Sequence, residues 1–241
     1  MRLLFLTPQL PHPPRQGTAI RNWGLIKSLA AHHTITLLTF AGEVESISAE
    51  LRAVCQRIET IPLPTRTPAH RLLDLVFSPL PDLARRLASP DFLDCLTSLL
   101  RAHSFDALFV EGLELAQSLI TNTQLPITIF DAHNCETLLQ RRAFKNDLRL
   151  PHRWPAALYS LIQSGKLARF EAEACRRATY VTCVSAEDAA ALRALAPALN
   201  PIVIPNGIFL SEYAVSGWQS TASNQQPAAG LHRQNGLPPQ Y

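Results

Sequence analysis

The 241-residue sequence predicts an α/β protein built on an open, doubly wound parallel sheet of about seven strands. Three observations predict it. Short apolar runs suited to buried strands recur at 3–7, 34–40, 58–62, 106–111, 127–131, 179–184 and 201–204. Segments of helical length separate most of them, and such alternation favours a parallel sheet with helices on both faces. The apolar fraction, 47%, is ample for a buried core and excludes wholesale disorder.

The first run, LLFLT, passes directly into a proline-stiffened loop, a single glycine (Gly17) and a helix starting near Thr18. It resembles the start of a signal peptide, but Pro8 cuts the apolar stretch short, so it reads as a buried first strand. Leu25, Ile26, Leu29 and Ala30 fall on one face at helical spacing, and AELRAVCQRI at 49–58 has the same periodicity. Residues 62–90 are rich in proline and read as short broken helices. Ser89-Pro90-Asp91 supplies a serine N-cap with proline at the first helical position, which predicts a helix reaching His103. Residues 136–178 predict one or two long helices interrupted at Leu150-Pro151 and Trp154-Pro155. Their faces carry Arg141, Arg142, Lys145, Arg149 and Arg153, which suits either a solvated helix face or a surface held against anionic lipid headgroups. Near the other end, IVI at 202–204 leads into Pro205-Asn206-Gly207. From Val215 onward the chain turns to Gln, Ser, Pro and Gly without periodicity, and a disordered tail is expected over 214–241.

Several function classes are excluded. The net charge is +3, with scattered Lys and Arg and few aromatics, which is no nucleic-acid signature. Five cysteines, an odd count without a CxxC pair, argue against a disulfide framework or zinc site and suit a reducing cytoplasm. No segment approaches the roughly 18–20 apolar residues of a spanning helix, so a soluble protein is expected, or one peripheral on the inner membrane face. Motifs of the GxSxG, HExxH and GxxxxGK[ST] kinds are missing, and no metal or cofactor is expected.

Four places carry residues suited to chemistry. Gly17 lies beyond the carboxyl end of the first strand and just before a helix, where free N–H groups meet phosphates and glycine lets a ligand approach the backbone. Arg21, one turn further, could face an anion. A turn glycine beside a surface arginine is the plainer account. His133, in Phe130-Asp131-Ala132-His133-Asn134-Cys135-Glu136, follows a strand and faces the same crevice, where it could donate to a hydroxyl or phosphoryl oxygen. Asp131 or Glu136 could orient it, and the alternative is a plain helix-start cap. Ser185 is most simply an N-cap, with a cleft-lining hydroxyl as its functional reading. Glu111-Gly112, ending the strand DALFV, is a similar cleft-rim candidate.

In this order LLFLTPQLPHPPRQGTAIRN, DALFVEG, FDAHNCE, YVTCVSAED and IVIPNGI resemble the amino-terminal domain of family 4 glycosyltransferases of the GT-B fold, over residues 1–213. The resemblance implies a single Rossmann-like half of a two-domain enzyme. It implies a nucleotide-sugar donor, typically a UDP- or GDP-sugar, a glycan or lipid-linked acceptor, and metal-free transfer with retention. Gly17 then matches the loop glycine at the donor phosphates, His133 the catalytic-cleft histidine at the donor sugar, and Asn206-Gly207 the interdomain hinge. Arg21, Glu111, Asn134, Glu136 and Ser185 would line the donor and acceptor side of that cleft. The loop departs from the commoner double glycine by carrying Gln16 before Gly17.

The family's second domain, with its basic pair and E-x7-E residues, has no counterpart in the sequence, so the chain alone is expected to be inactive. Loss of a returning last helix is expected to leave an apolar patch at the cleft. The tail suggests a cause. GLHRQNGLPPQ admits codons that, read one nucleotide later, spell AFTGKMDYRPN, which resembles the opening of that second domain. A single-base frame change between Asn206 and Gly230 is therefore expected. Two other readings stand beside this one. A non-catalytic phosphosugar- or acceptor-binding module would work with a separate donor domain. A nucleotide-dependent oxidoreductase is disfavoured by the lone glycine and by Phe40-Ala41-Gly42, where an acidic residue usually meets a ribose.

Overall fold

The computed structural model describes residues 1–121 and 127–207. The seven strands are β1 (Arg2–Thr7), β2 (Thr34–Ala41), β3 (Arg57–Pro62), β4 (Ala107–Glu111), β5 (Ile127–Asp131), β6 (Tyr180–Cys183) and β7 (Ile202–Val203). All neighbouring pairs are parallel, in the order β3-β2-β1-β4-β5-β6-β7. The expected doubly wound sheet is therefore present, and the strand order reverses direction between β1 and β4. In open α/β sheets ligands bind outside the carboxyl ends of strands at such a switch point.

The connecting helices are α1 (Gly17–Ala30), α2 (Ala49–Val54), α3 (Pro68–Phe77), α4 (Asp82–Arg86), α5 (Pro90–Ala102), α6 (Gln117–Thr121), α7 (Glu136–Leu148), α8 (Trp154–Arg177) and α9 (Ala186–Leu195). Ser89 caps α5 as its sequence predicts, accepting from Phe92 N at 3.2 Å. α2 is shorter than its periodicity suggests, because Cys55 is already extended and Gln56 N donates to Ile35 O at 2.8 Å, which draws the chain into β3. Trp154-Pro155 starts α8 rather than interrupting a helix. A proline in the first turn has no intrahelical N–H bond to lose. Residues 208–213 of the expected domain and the tail at 214–241 lie outside the described residues.

Burial on both faces of the sheet explains the continuous apolar runs. Leu3 and Phe5 join Trp23, Ile26, Leu37 and Leu51 on one side. Leu4 and Leu6 join Leu38, Phe40, Phe92, Leu108 and Phe130 on the other. The sheet's carboxyl edge is thereby fixed by two cores, and loops leaving it are held in register. No helix among the described residues is long and apolar enough to cross a membrane.

Candidate active site

A cleft of about 690 Å³ opens at the carboxyl edge, around the switch point. Its wall brings together Gly17 and Thr18 from the start of α1, Gly112 after β4, His133, Asn134 and Glu136 after β5, Val184 after β6, and Asn206 after β7. Gly17 and His133 thus share one cavity. The wall has few large aliphatic groups among the described residues, Leu63, Leu87 and Val184. The apolar patch expected here is not at this site. α3 and the start of α8 instead each expose four large apolar side chains.

At the start of α1 the preceding residue, Gln16, is extended and makes no side-chain cap, and the first turn holds no acidic residue. The α1 amides are left for solvent or a ligand anion, which the helix dipole favours. A Cβ at Gly17 would meet nothing within 4 Å. The protein's own packing therefore leaves room for a larger residue there.

His133 occupies the left-handed region, φ 54, a conformation that costs a non-glycine residue roughly 1–3 kcal/mol. Its carbonyl accepts from Val184 N at 3.0 Å, which ties the turn to β6. Its Nε2 lies 3.3 Å from Glu111 Oε2, an ion-pair contact without a hydrogen bond. Glu111 does not line the cleft. It is wholly buried beneath His133, and one of its oxygens, Oε1, has no hydrogen-bond partner. With the Asn22 amide turned to satisfy its surroundings, its nitrogen donates to Thr18 O at 3.2 Å and Glu111 Oε2 at 2.8 Å. Burial pushes the Glu111 carboxyl up, against the pull of His133. Burial would lower His133, but its contact with Glu111 and that carboxylate's charge outweigh this and raise it. The buried acid thus favours the protonated imidazole at the cleft wall.

Arg21 borders the cleft, but its guanidinium is committed to the protein. Its side chain is buried, with Nε 2.6 Å from Asp131 Oδ2 and Nη2 3.0 Å from Asp131 Oδ1. Nη1 donates to Ile204 O at 2.9 Å and to Asn206 Oδ1 at 3.0 Å. Arg21 therefore locks α1 to β5 and to the 204–207 segment. Gly207, beside it, is exposed.

Glu136 borders the cleft at the start of α7, and its carboxyl is pushed up to about 7 by burial and by the nearby charges of Glu114 and Glu171. The amides behind it are already taken, since buried Glu171 of α8 accepts from Glu136 N at 2.8 Å and Thr137 N at 2.9 Å. The α1 start has no such side-chain acceptor and is open to an external anion. Ser185 serves as the N-cap of α9, accepting from Asp188 N at 3.1 Å, and it is Val184 that meets the cleft. The opposite lip is formed by Arg86, paired with Glu114.

Glu111, Asp131 and His133 could converge on a cation, their ligand atoms lying within 4.8 Å of one another. Arg21 already supplies positive charge there, and Thr182 Oγ1 donates to Asp131 Oδ1 at 2.8 Å. Asp131 is thus taken, and Glu111 and His133, whose Oε1 and Nε2 have no hydrogen-bond partner, are two open ligands beside a buried guanidinium, so the trio fits a metal poorly.

The fold and the site together define an open, doubly wound α/β domain with a cleft at its switch point. The sequence profile of Glycosyltransferase Family 4 matches residues 15–212, and the chain belongs to that family. Among solved structures, sucrose-phosphate synthase from Thermosynechococcus elongatus is similar, with a TM-score of 0.61 at 15% identity, over 88% of this chain and 49% of that one. A second structure of that enzyme superposes with a TM-score of 0.51 at 12% identity, over 86% of this chain and 90% of that one. These likenesses show the fold. The chain spans about half the length of the first of these structures. No curated protein shows significant sequence similarity to it.

Proposed function

We propose that the chain is the amino-terminal half of a retaining hexosyltransferase that moves a sugar from a UDP- or GDP-sugar to a glycan or lipid-linked acceptor in the cytoplasm. The observation that carries this reading is the meeting, in one cleft, of uncapped α1 amides at Gly17 and a strained, buried-acid-backed His133. In the proposed complex the α1 amides meet a donor phosphate oxygen. The protonated His133 donates to the sugar or the leaving phosphate, and Glu111 keeps it charged. Asn134 and Glu136 border the acceptor space, and the segment at Asn206-Gly207 acts as the hinge to a facing lobe. Stabilising a departing nucleotide diphosphate is normally a major catalytic term. The described residues offer few charges for it, because Arg21 is committed inward and Arg86 is paired. Binding without turnover is therefore proposed for this chain alone. The same shortage supports the second reading, a phosphosugar- or acceptor-binding module that works with a separate donor domain.

Isothermal titration with UDP-glucose, GDP-mannose and NAD tests the reading. The sugar nucleotides should bind weakly and lose affinity in both Gly17→Ala and His133→Ala, whereas NAD should not bind. Equal binding of NAD, or affinity unchanged in both variants, contradicts it.

A further inference from the structure

Two adjoining helices have inverted polarity. α3 turns Asp74 toward the protein, where Arg66 and Arg85 pair with it at 2.7 and 3.3 Å, and buries none of its residues fully. It exposes Leu72, Leu73, Val76 and Phe77, the last at 79%. The first turns of α8 bury Ala157, Ser160 and Gln163 while exposing Trp154, Leu158, Leu161 and Ile162. Those four recur at helical spacing and form one face. A helix of a water-soluble domain ordinarily does the reverse, and a large exposed apolar patch marks a docking surface.

The helices are fastened together. Lys166 of α8 donates from Nζ to the carbonyls of Leu75 (2.7 Å) and Asp74 (3.3 Å), and Gln163 Oε1 accepts from Asp82 N at 2.9 Å. The last turn of α3 is therefore held one helical turn from Ile162. The neighbouring helix α7, packed on α8, carries positive charge. Arg141, Lys145 and Arg149 are exposed on α7 and its link to α8 and have no ion pair among the described residues. Asp147 is the only acid between residues 137 and 170, and it is spent on Arg153 at 2.8 Å.

We propose that α3 and the first turns of α8 dock on an anionic lipid bilayer, with the apolar side chains entering the headgroup boundary and the cations of α7 resting on anionic headgroups. Apolar residues flanked by uncompensated Lys and Arg suit an interfacial surface. A protein interface core is ordinarily depleted of lysine, and a second copy would set these cations against their like. The chain on either side of the patch supplies cleft wall, Leu63 and Pro64 before α3 and Arg86 and Leu87 at the end of α4. The docked helix therefore sits beside the cleft mouth, where a lipid-linked acceptor would enter. That last consequence alone rests on the proposed function.

Vesicle flotation of the full chain tests the docking. It should float with phosphatidylcholine vesicles containing phosphatidylglycerol, sink with phosphatidylcholine alone, and be released by high salt. Val76→Asp/Phe77→Asp should weaken binding by about tenfold or more. Lys145→Gln/Arg149→Gln should weaken it roughly 25-fold, at about fivefold per charge. Both variants should keep wild-type circular dichroism and UDP-glucose affinity, since these side chains are exposed and outside the cleft. Wild-type sinking with anionic vesicles, or variants floating as well as wild type, overturns the proposal. So does a wild-type dimer in sedimentation equilibrium that Val76→Asp/Phe77→Asp breaks. UDP-glucose titration is read separately, so lost flotation with intact sugar binding counts against the docking and not the proposed function.

Discussion

Arg21→Met keeps the unbranched apolar stem of the side chain and removes the charge on which Asp131 depends. Asp131 is fully buried and accepts hydrogen bonds from Arg21 Nε, Arg21 Nη2 and Thr182 Oγ1. Burial by itself would raise its carboxyl. The Arg21 hydrogen bonds, the His133 and Arg21 charges and the Thr182 hydroxyl together outweigh burial and hold it below the ordinary carboxylate value. A folded-state pKa below the unfolded one stabilises the protein above the unfolded value, near pH 4, and that contribution is lost as pH falls through the folded value. Without Arg21 only the Thr182 hydroxyl and the His133 charge oppose burial, which is the largest effect, so the sign should reverse and the variant should regain stability on acidification. Removing one partner of a buried ion pair costs about 3–5 kcal/mol. The lost bonds to Ile204 O and Asn206 Oδ1 act in the same direction. A domain typically has about 5–15 kcal/mol in total, so the variant should fold with a much lower urea midpoint. Urea unfolding followed by circular dichroism should show this loss at pH 7. The deficit should shrink by about 1 kcal/mol or more at pH 5, and Arg21→Met/Asp131→Asn should recover most of it. A loss below about 1 kcal/mol, or a deficit independent of pH, would refute this account of the buried pair.

Two further substitutions probe the cleft wall. Glu111→Gln should move the His133 titration, followed by its Cε1 proton in NMR, from above its ordinary value to below it, because burial then meets less opposition. Glu111 and His133 are both raised in the folded protein, so their joint stabilisation is full in acid and fades as pH rises through neutrality. Glu111→Gln should flatten that slope, and an unchanged His133 titration would show that Glu111 does not act on it. Gly112→Ala forces a side chain onto φ 84 and ψ 155 and places its Cβ 2.8 Å from Glu114 Oε2. It should cost about 1–3 kcal/mol in urea unfolding, and a neutral result would show that the turn relaxes freely.

Most of the fold was legible because strands buried on both faces leave uninterrupted apolar runs, and all seven appear where such runs stand. Periodicity misled at Ala49–Val54, where strand pairing by Gln56 overrode a helical pattern reaching to Ile58. In the cleft, Gly17 and His133 were legible because one opens the helix that follows β1 and the other closely follows β5, and topology brings such positions together. The direction of Arg21 was not legible. Its partner Asp131 lies on β5, far along the chain, and its other contacts lie beyond β7. Glu171 was missed for the same reason, since nothing local on α8 shows that it caps α7. The inverted faces of α3 and α8 were half visible. Their spacing was readable, but which face meets water is decided by Asp74 and its arginines.

Uncapped α1 amides and an imidazole biased toward its protonated form share one cleft, and the proposal is that an anion binds between them. Amide and imidazole shift mapping by NMR during titration with UDP-glucose tests it most directly. The account expects the largest changes at the Gly17 and Thr18 amides and at the His133 ring, saturating with one common affinity. Saturable binding that leaves these three silent while shifting signals elsewhere would contradict it.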